Sequence, residues 1–263
     1  MLRPGLVSIT FRDLPAERVL DLAVDAGLAA IEWGGDVHVP HGDLDTAHRI
    51  GDLTRAAGLA VPTYGSYLRC GVDSSSSPDA AAVVDTAAAL GAEAVRVWAG
   101  DLSSAAADAS DRRRVEAALR AACDHAAERM PGGTVVTECH ANTLTDTAAS
   151  AEALLDAVDR PNLRTLWQPW NEVPVTDCVA GLRRLLPRVT HLHVFQWRTG
   201  PADQISLGSR AAVTAWSAYL AALDARDRFA LLEFVPGGRP ELLAAEAGAL
   251  RALCGIVEGV DRP

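Results

Sequence analysis

The sequence has no uncharged apolar run long enough to cross a bilayer. It opens Met1-Leu-Arg-Pro-Gly5, without a charged segment leading into an apolar stretch and a cleavage site. The chain therefore reads as soluble, with a cytoplasmic location expected and no membrane partner. Patterned cysteines are missing as well. Cys70, Cys123, Cys139, Cys178 and Cys254 are odd in number, far apart and without a CxxC pair, which excludes a disulfide framework and a zinc knuckle. Grouped positive charge is scarce: the net charge is −10 and the pI about 5.1. The one cationic cluster, Arg112-Arg113-Arg114, reads as a solvated helix start, so no nucleic-acid partner is expected, because phosphate binding rests on clustered cations. No glycine-rich phosphate cradle stands out, and nothing resembles a linker.

What the chain does have is apolar mass. With 263 residues, 49% of them hydrophobic, it can bury a large core, and its length suits one barrel-sized domain over 1–263. Strand-length apolar runs recur eight times, at Leu6 to Phe11, Ala29 to Trp33, Ala60 to Tyr64, Ala94 to Trp98, Thr134 to Glu138, Leu163 to Gln168, Val189 to Phe195 and Phe229 to Val235. Between them lie segments such as Pro15 to Gly27 and Ala80 to Leu90, apolar at helical spacing and often closing on glycine. Eight strand-then-helix units predict a single-domain α/β fold, a (β/α)8 TIM barrel.

Two connections are unusually polar: Gly34 to Asp45 after the second run, and Trp197 to Arg210 after the seventh, which reads as a long loop or lid. Ser74 to Ser77 reads as loop and helix cap. Loops after strands form the catalytic face of this architecture. Side chains alternate along a strand, so Val136, Glu138 and His140 share one face. The ends of the last four strands then bring Glu138, Gln168, His193 and Glu233 to one side of the mouth. This mixed oxygen and nitrogen set suits Mn2+, Mg2+, Co2+ or Zn2+, with open positions for substrate oxygens. Such an ion would polarise the carbonyl of a polyhydroxy compound while the carboxylates move the proton.

This order of ligands, together with Ala30-Ile-Glu-Trp33 and Leu90-Gly-Ala-Glu-Ala-Val-Arg-Val-Trp98, resembles the xylose isomerase-like TIM-barrel superfamily, including its sugar phosphate isomerases and epimerases. The resemblance covers nearly the whole chain. It implies metal ligands at Glu138, Gln168, His193 and Glu233, with Glu138 and Glu233 doubling as the acid/base pair of an isomerase or epimerase in carbohydrate metabolism. The family usually has Asp where this chain has Gln168, which removes one negative charge and weakens the expected metal affinity.

His38, Arg96, Trp98, His140 and Arg198 are the expected substrate contacts. Three have a bland alternative: loop bracing for His38, an internal pair with Glu32 for Arg96, turn stabilisation for His140. His191 reads as an interior residue or a partner of a ligand. Trp170 and Trp197 suit an apolar wall, while Trp167 should point into the helix layer. A lyase or dehydratase acting on an oxidised sugar or glycoside, and a non-catalytic sugar-binding barrel with a degenerate metal site, are the alternatives. The expected partner is a small molecule, and homo-oligomerisation stays open.

Overall fold

The computed structural model describes residues 1–73, 75, 77–198, 200 and 203–258. Its strands are β1 (Leu2–Val7), β2 (Ile31–Gly34), β3 (Tyr64–Arg69), β4 (Ala94–Trp98), β5 (Thr134–Thr137), β6 (Leu163–Trp167), β7 (Val189–Val194) and β8 (Arg228–Leu232). All pair in parallel in chain order, and β8 bonds back to β1 to close the barrel. The helices that follow each strand are α1 (Ala16–Asp25), α2 (Leu44–Ala56), α3 (Ala80–Leu90), α4 (Ala109–Arg129), α5 (Ala148–Val158), α6 (Val175–Leu185), α7 (Arg210–Leu220) and α8 (Leu243–Glu258). The chain is a single-domain (β/α)8 TIM barrel. Among the described residues no helix is long and apolar enough to cross a membrane.

Local chemistry sets the helix ends. Asp79 starts α3 by accepting the Ala82 N–H at 2.8 Å, and Gly91 ends it with φ +72°, a left-handed turn that costs glycine little. Asp79 thus performs the capping expected of the serine run, of which Ser74 and Ser76 lie outside the described residues. Thr147 accepts from Ser150 N at 3.2 Å to open α5, and Asp108 and Asp111 cap α4 reciprocally.

Two strands sit away from their predicted places. The third was expected over Ala60 to Tyr64 but runs Tyr64–Arg69, because Pro62 has no N–H to give a ladder and leaves Ala60 with a single bridge to Ala30. The first was expected over Leu6 to Phe11 but ends at Val7, and Ser8–Phe11 coil into a buried single turn.

Odd and even positions along each strand go to different layers. Leu6, Ile31, Val95, Val135, Trp167, Leu192 and Leu232 join the large core between sheet and helices, where Trp167 meets Trp216 and Tyr219 edge-on. The inward positions form two small clusters, Val7, Ile9, Ala30, Phe229 and Leu231 on one side and Ala94, Val136 and Leu166 on the other. One inward step further along their strands come Glu32, Arg96, Glu138, Gln168 and Glu233, a polar level resting on an apolar plug.

Candidate functional site

This polar level is one connected network. Glu32, from β2, places Oε2 2.9 Å from His193 Nε2 and 3.6 Å from His191 Nε2, both on β7. Its other oxygen lies 3.3 Å from Arg96 Nε on β4. Arg96 also pairs through Nη1 with Oε2 of Glu138, which receives a second bond from Trp98 Nε1 at 2.6 Å. Oε1 of Glu138 accepts from Gln168 Nε2 at 3.1 Å. His193 Nδ1 closes the chain against Glu233 Oε2 at 3.3 Å. Relative exposure is 0% for Glu32 and His193 and reaches only 8% for Gln168.

Burial alone would neutralise such groups, and the partners reverse that tendency. Burial lowers the His193 pKa, but the charges of Glu32 and Glu233 outweigh it and raise it from about 6.5 to about 10. Glu32 is pushed up by burial and held well below the usual carboxylate range, first by His193, then by His191 and Arg96. Glu138 likewise resists burial, through Arg96 first, and stays lowered. Burial dominates at His191 and depresses its pKa.

A cavity of about 440 Å³ opens beside Gln168, with His140, Asn142, Asp146, Trp170, Asn171 and Trp197 in its lining. A neighbouring cavity of about 230 Å³ shares Trp170, Asn171 and Trp197 with it and includes Arg198. The Trp197 Nε1 bond to Asn171 Oδ1, 2.9 Å, stands between the two. Among the described residues, three of the four non-glycine positions with positive φ lie just past strand ends here: Asn142 at 57°, Glu172 at 59° and Phe234 at 67°. Backbone held in this region is costly and clusters at functional sites. Phe234, directly after Glu233, is pinned by its N–H to Thr10 Oγ1 at 3.0 Å.

The expected substrate contacts are distributed differently. Arg96 makes the internal pair with Glu32, and Trp98 is spent on Glu138. His140 stacks on Trp98, with centroids 4.4 Å apart, and reaches the cavity. His38 is buried behind the site, bonded to Ser8 Oγ at 2.9 Å and Leu14 O at 3.1 Å, as in the loop-bracing alternative. Arg198 is 70% exposed and pairs with Asp203 at 3.5 Å. Its loop includes Thr199, Pro201 and Ala202, which lie outside the described residues. The sequence reading missed Asn142, Asn171 and Gly65. A glycine inside a strand was the available signal for the last.

The donor set decides whether a divalent ion fits. Of the four residues expected as ligands, Gln168 and His193 keep Oε1 and Nδ1 buried without a hydrogen-bond partner, but Glu138 has no oxygen left free. Glu138 has donors on both oxygens, Gln168 turns its N–H toward Glu138, and both His193 nitrogens face carboxylates. That set does not fit a divalent cation. A different trio, Glu32, His191 and His193, has the donor types and spacing of a metal site, with ligand atoms within 4.8 Å of one another. All three are buried and Glu32 also carries Arg96, so an ion there would lack the open position that metal catalysis needs.

Comparison with known proteins places this geometry. No functionally curated protein matches the sequence. Among solved structures, the probable 3-DHS dehydratase AsbF of Bacillus anthracis superposes with a TM-score of 0.71 at 23% identity, covering 95% of this chain and 99% of its own. The 3-keto-D-glucoside 4-epimerase YcjR of E. coli gives 0.71 at 14%, covering 97% and 100%. A xylose isomerase-like TIM barrel protein of Mycobacterium smegmatis, in complex with magnesium, gives 0.67 at 17%, covering 97% and 98%. These likenesses establish the fold. A family model for the xylose isomerase-like TIM barrel matches residues 20–253, nearly the whole barrel and every residue of the polar network. By that match and that architecture, the chain belongs to the xylose isomerase-like TIM barrel family.

Proposed function

We propose that this chain is an enzyme that isomerises or epimerises a small, neutral, polyhydroxylated carbonyl compound through an enediolate, with Glu233 as the proton carrier. The observation that carries the reading is the convergence of Glu233, His193, Glu32, Arg96 and Glu138 at the strand ends, joined through Gln168 to a cavity lined by amides and aromatic rings. Among the described residues Glu233 meets only His193, so it keeps lone pairs for a proton. Glu138, the other carboxylate of the expected acid/base pair, takes three bonds from Arg96, Trp98 and Gln168 and serves as a fixed anion.

In this reading the C–H bond next to the carbonyl breaks toward Glu233. The electron pair passes into the enediolate; Glu233 gives the isomer by protonating the adjacent carbon while the hydroxyl proton passes to the former carbonyl oxygen, and a solvent proton delivered to the same carbon from the opposite face gives the epimer. The chain contains no lysine, so a lysine Schiff base cannot supply an alternative route.

The lining supports a neutral substrate. Among the described residues the larger cavity is lined by Asp146 but no arginine, so a phosphate there would meet negative charge. Trp170, Trp197 and His140 put aromatic rings in the lining, the residue type that suits the C–H surface of a sugar. Gln168 lines the cavity, and its buried Oε1 has no donor.

The test is incubation with unphosphorylated ketoses and keto-glycosides in D2O, followed by mass spectrometry. One deuteron should enter beside the carbonyl, and Glu233→Gln should slow that exchange by about 10²- to 10⁴-fold. Undiminished exchange in Glu233→Gln overturns the reading. Loss of water from the product would assign the same enediolate to a dehydratase instead.

A further inference from the structure

The middle of the polar level is filled by a guanidinium. Arg96 is 3% exposed and spans two carboxylates from different strands, Glu32 through Nε at 3.3 Å and Glu138 through Nη1. Its guanidinium carbon also lies 5.3 Å from the centroid of the Tyr67 ring. Strand β3 makes room for this bridge. A Cβ on Gly65 would fall 2.6 Å from Glu32 Oε1 and 3.1 Å from Arg96 Nη2, so the strand omits a side chain where the pair crosses it. Gly65 is also the residue paired in register with Arg96. Arginine remains protonated under any condition in which a protein folds, so the charge is permanent.

The effect passes outward. Arg96 fixes one oxygen of Glu138, and the other accepts the Gln168 N–H, which is also bonded to Cys139 O at 3.0 Å. With both acceptors on the nitrogen side, the amide orientation is set, and Gln168 lies in the cavity wall with its oxygen unpartnered.

We propose that Arg96 is the built-in cation of this centre: it supplies through Glu138 the positive charge that a divalent ion would bring, and it keeps the Glu138, Gln168, His193 and Glu233 set free of metal. Arg96 is then a positioning residue, acting on substrate through Glu138 and Gln168. The inference rests on the reading of this end of the barrel as the substrate site.

The test is calorimetric titration of the chelator-treated full chain with Mn2+ and with Zn2+, alongside Arg96→Lys, Arg96→Met/Gln168→Asp and Glu138→Gln. Wild type and Arg96→Lys should show no saturable site that depends on Glu138. The double variant, which removes the guanidinium and adds a carboxylate, should gain one Mn2+ site about 100-fold tighter than any in the wild type. A wild-type site abolished by Glu138→Gln overturns the inference, and so does a double variant that is folded by circular dichroism yet gains nothing. If the double variant does not fold, the wild-type and Arg96→Lys titrations decide. No substrate is used, so the outcome is separate from the deuterium test: metal bound through Glu138, with exchange still lost in Glu233→Gln, sinks the role of Arg96 and leaves proton transfer standing.

Discussion

The side-chain nitrogen of Gln168 lies 3.1 Å from Oε1 of Glu138, and the two residues meet as donor and acceptor. A flipped amide would set oxygen against oxygen both here and at Cys139 O. Gln168→Glu does the same permanently and adds a negative charge. It should destabilise the fold by about 1–3 kcal/mol, read as a lower urea midpoint in metal-free buffer.

Arg96→Met would take a shared cation from two buried carboxylates, leaving Glu32 to His193 and Glu138 to the neutral donors Trp98 and Gln168. The expected loss is about 3–5 kcal/mol in urea unfolding. Arg96→Lys should recover only part of it, because an ammonium is a single point charge and cannot fork between Glu32 and Glu138 as a guanidinium does.

Gly65→Ala places a methyl 2.6 Å from Glu32 Oε1, so carboxylate or strand must shift, at about 1–3 kcal/mol. Much of that cost should vanish when Arg96 is already Met, which removes Nη2 from the methyl and leaves Oε1 of Glu32 free to turn away while Oε2 stays on His193. A double-mutant cycle measures the coupling, and strict additivity would deny that the glycine exists for the bridge.

Thr10→Val removes the acceptor that pins Phe234 N at φ 67°. Stability should fall by about 1 kcal/mol. Deuterium exchange should fall further than the binding of substrate does, because the strand end that aims Glu233 is loosened.

Stability should depend on pH from two sides. His193 has its pKa raised from about 6.5 to about 10, so its contribution is complete below 6.5 and is lost as pH climbs toward 10. Glu32 is depressed below its ordinary value of about 4.5, so its contribution is complete above that value and is lost in acid. Urea unfolding across pH should show greatest stability between about 5 and 6.5. In His193→Gln the alkaline decline should flatten.

The barrel is readable from the chain because strand and helix leave different hydrophobic periods. Ala94 to Trp98 is placed without error, whereas Pro62 hides where the third strand begins. Alternation also shows which residues face the lumen, and so gathers Glu138, Gln168, His193 and Glu233 at one end. It cannot show which of them touch. Glu32 and His193 lie 161 residues apart on β2 and β7 and meet only because a small barrel lets long side chains span its width. The double grip of Arg96 depends on the same short diameter, so Glu32 reads as a minor residue although it is the hub.

The Glu32–Arg96–Glu138 chain sits inside the sheet cylinder, where dissolved ions do not reach. Screening acts over about 10 Å of electrolyte at 0.1 M salt, and there is no electrolyte between these groups. The field they set up should therefore be the same in dilute buffer and in brine, while the exposed ion pairs on the outer helices fade.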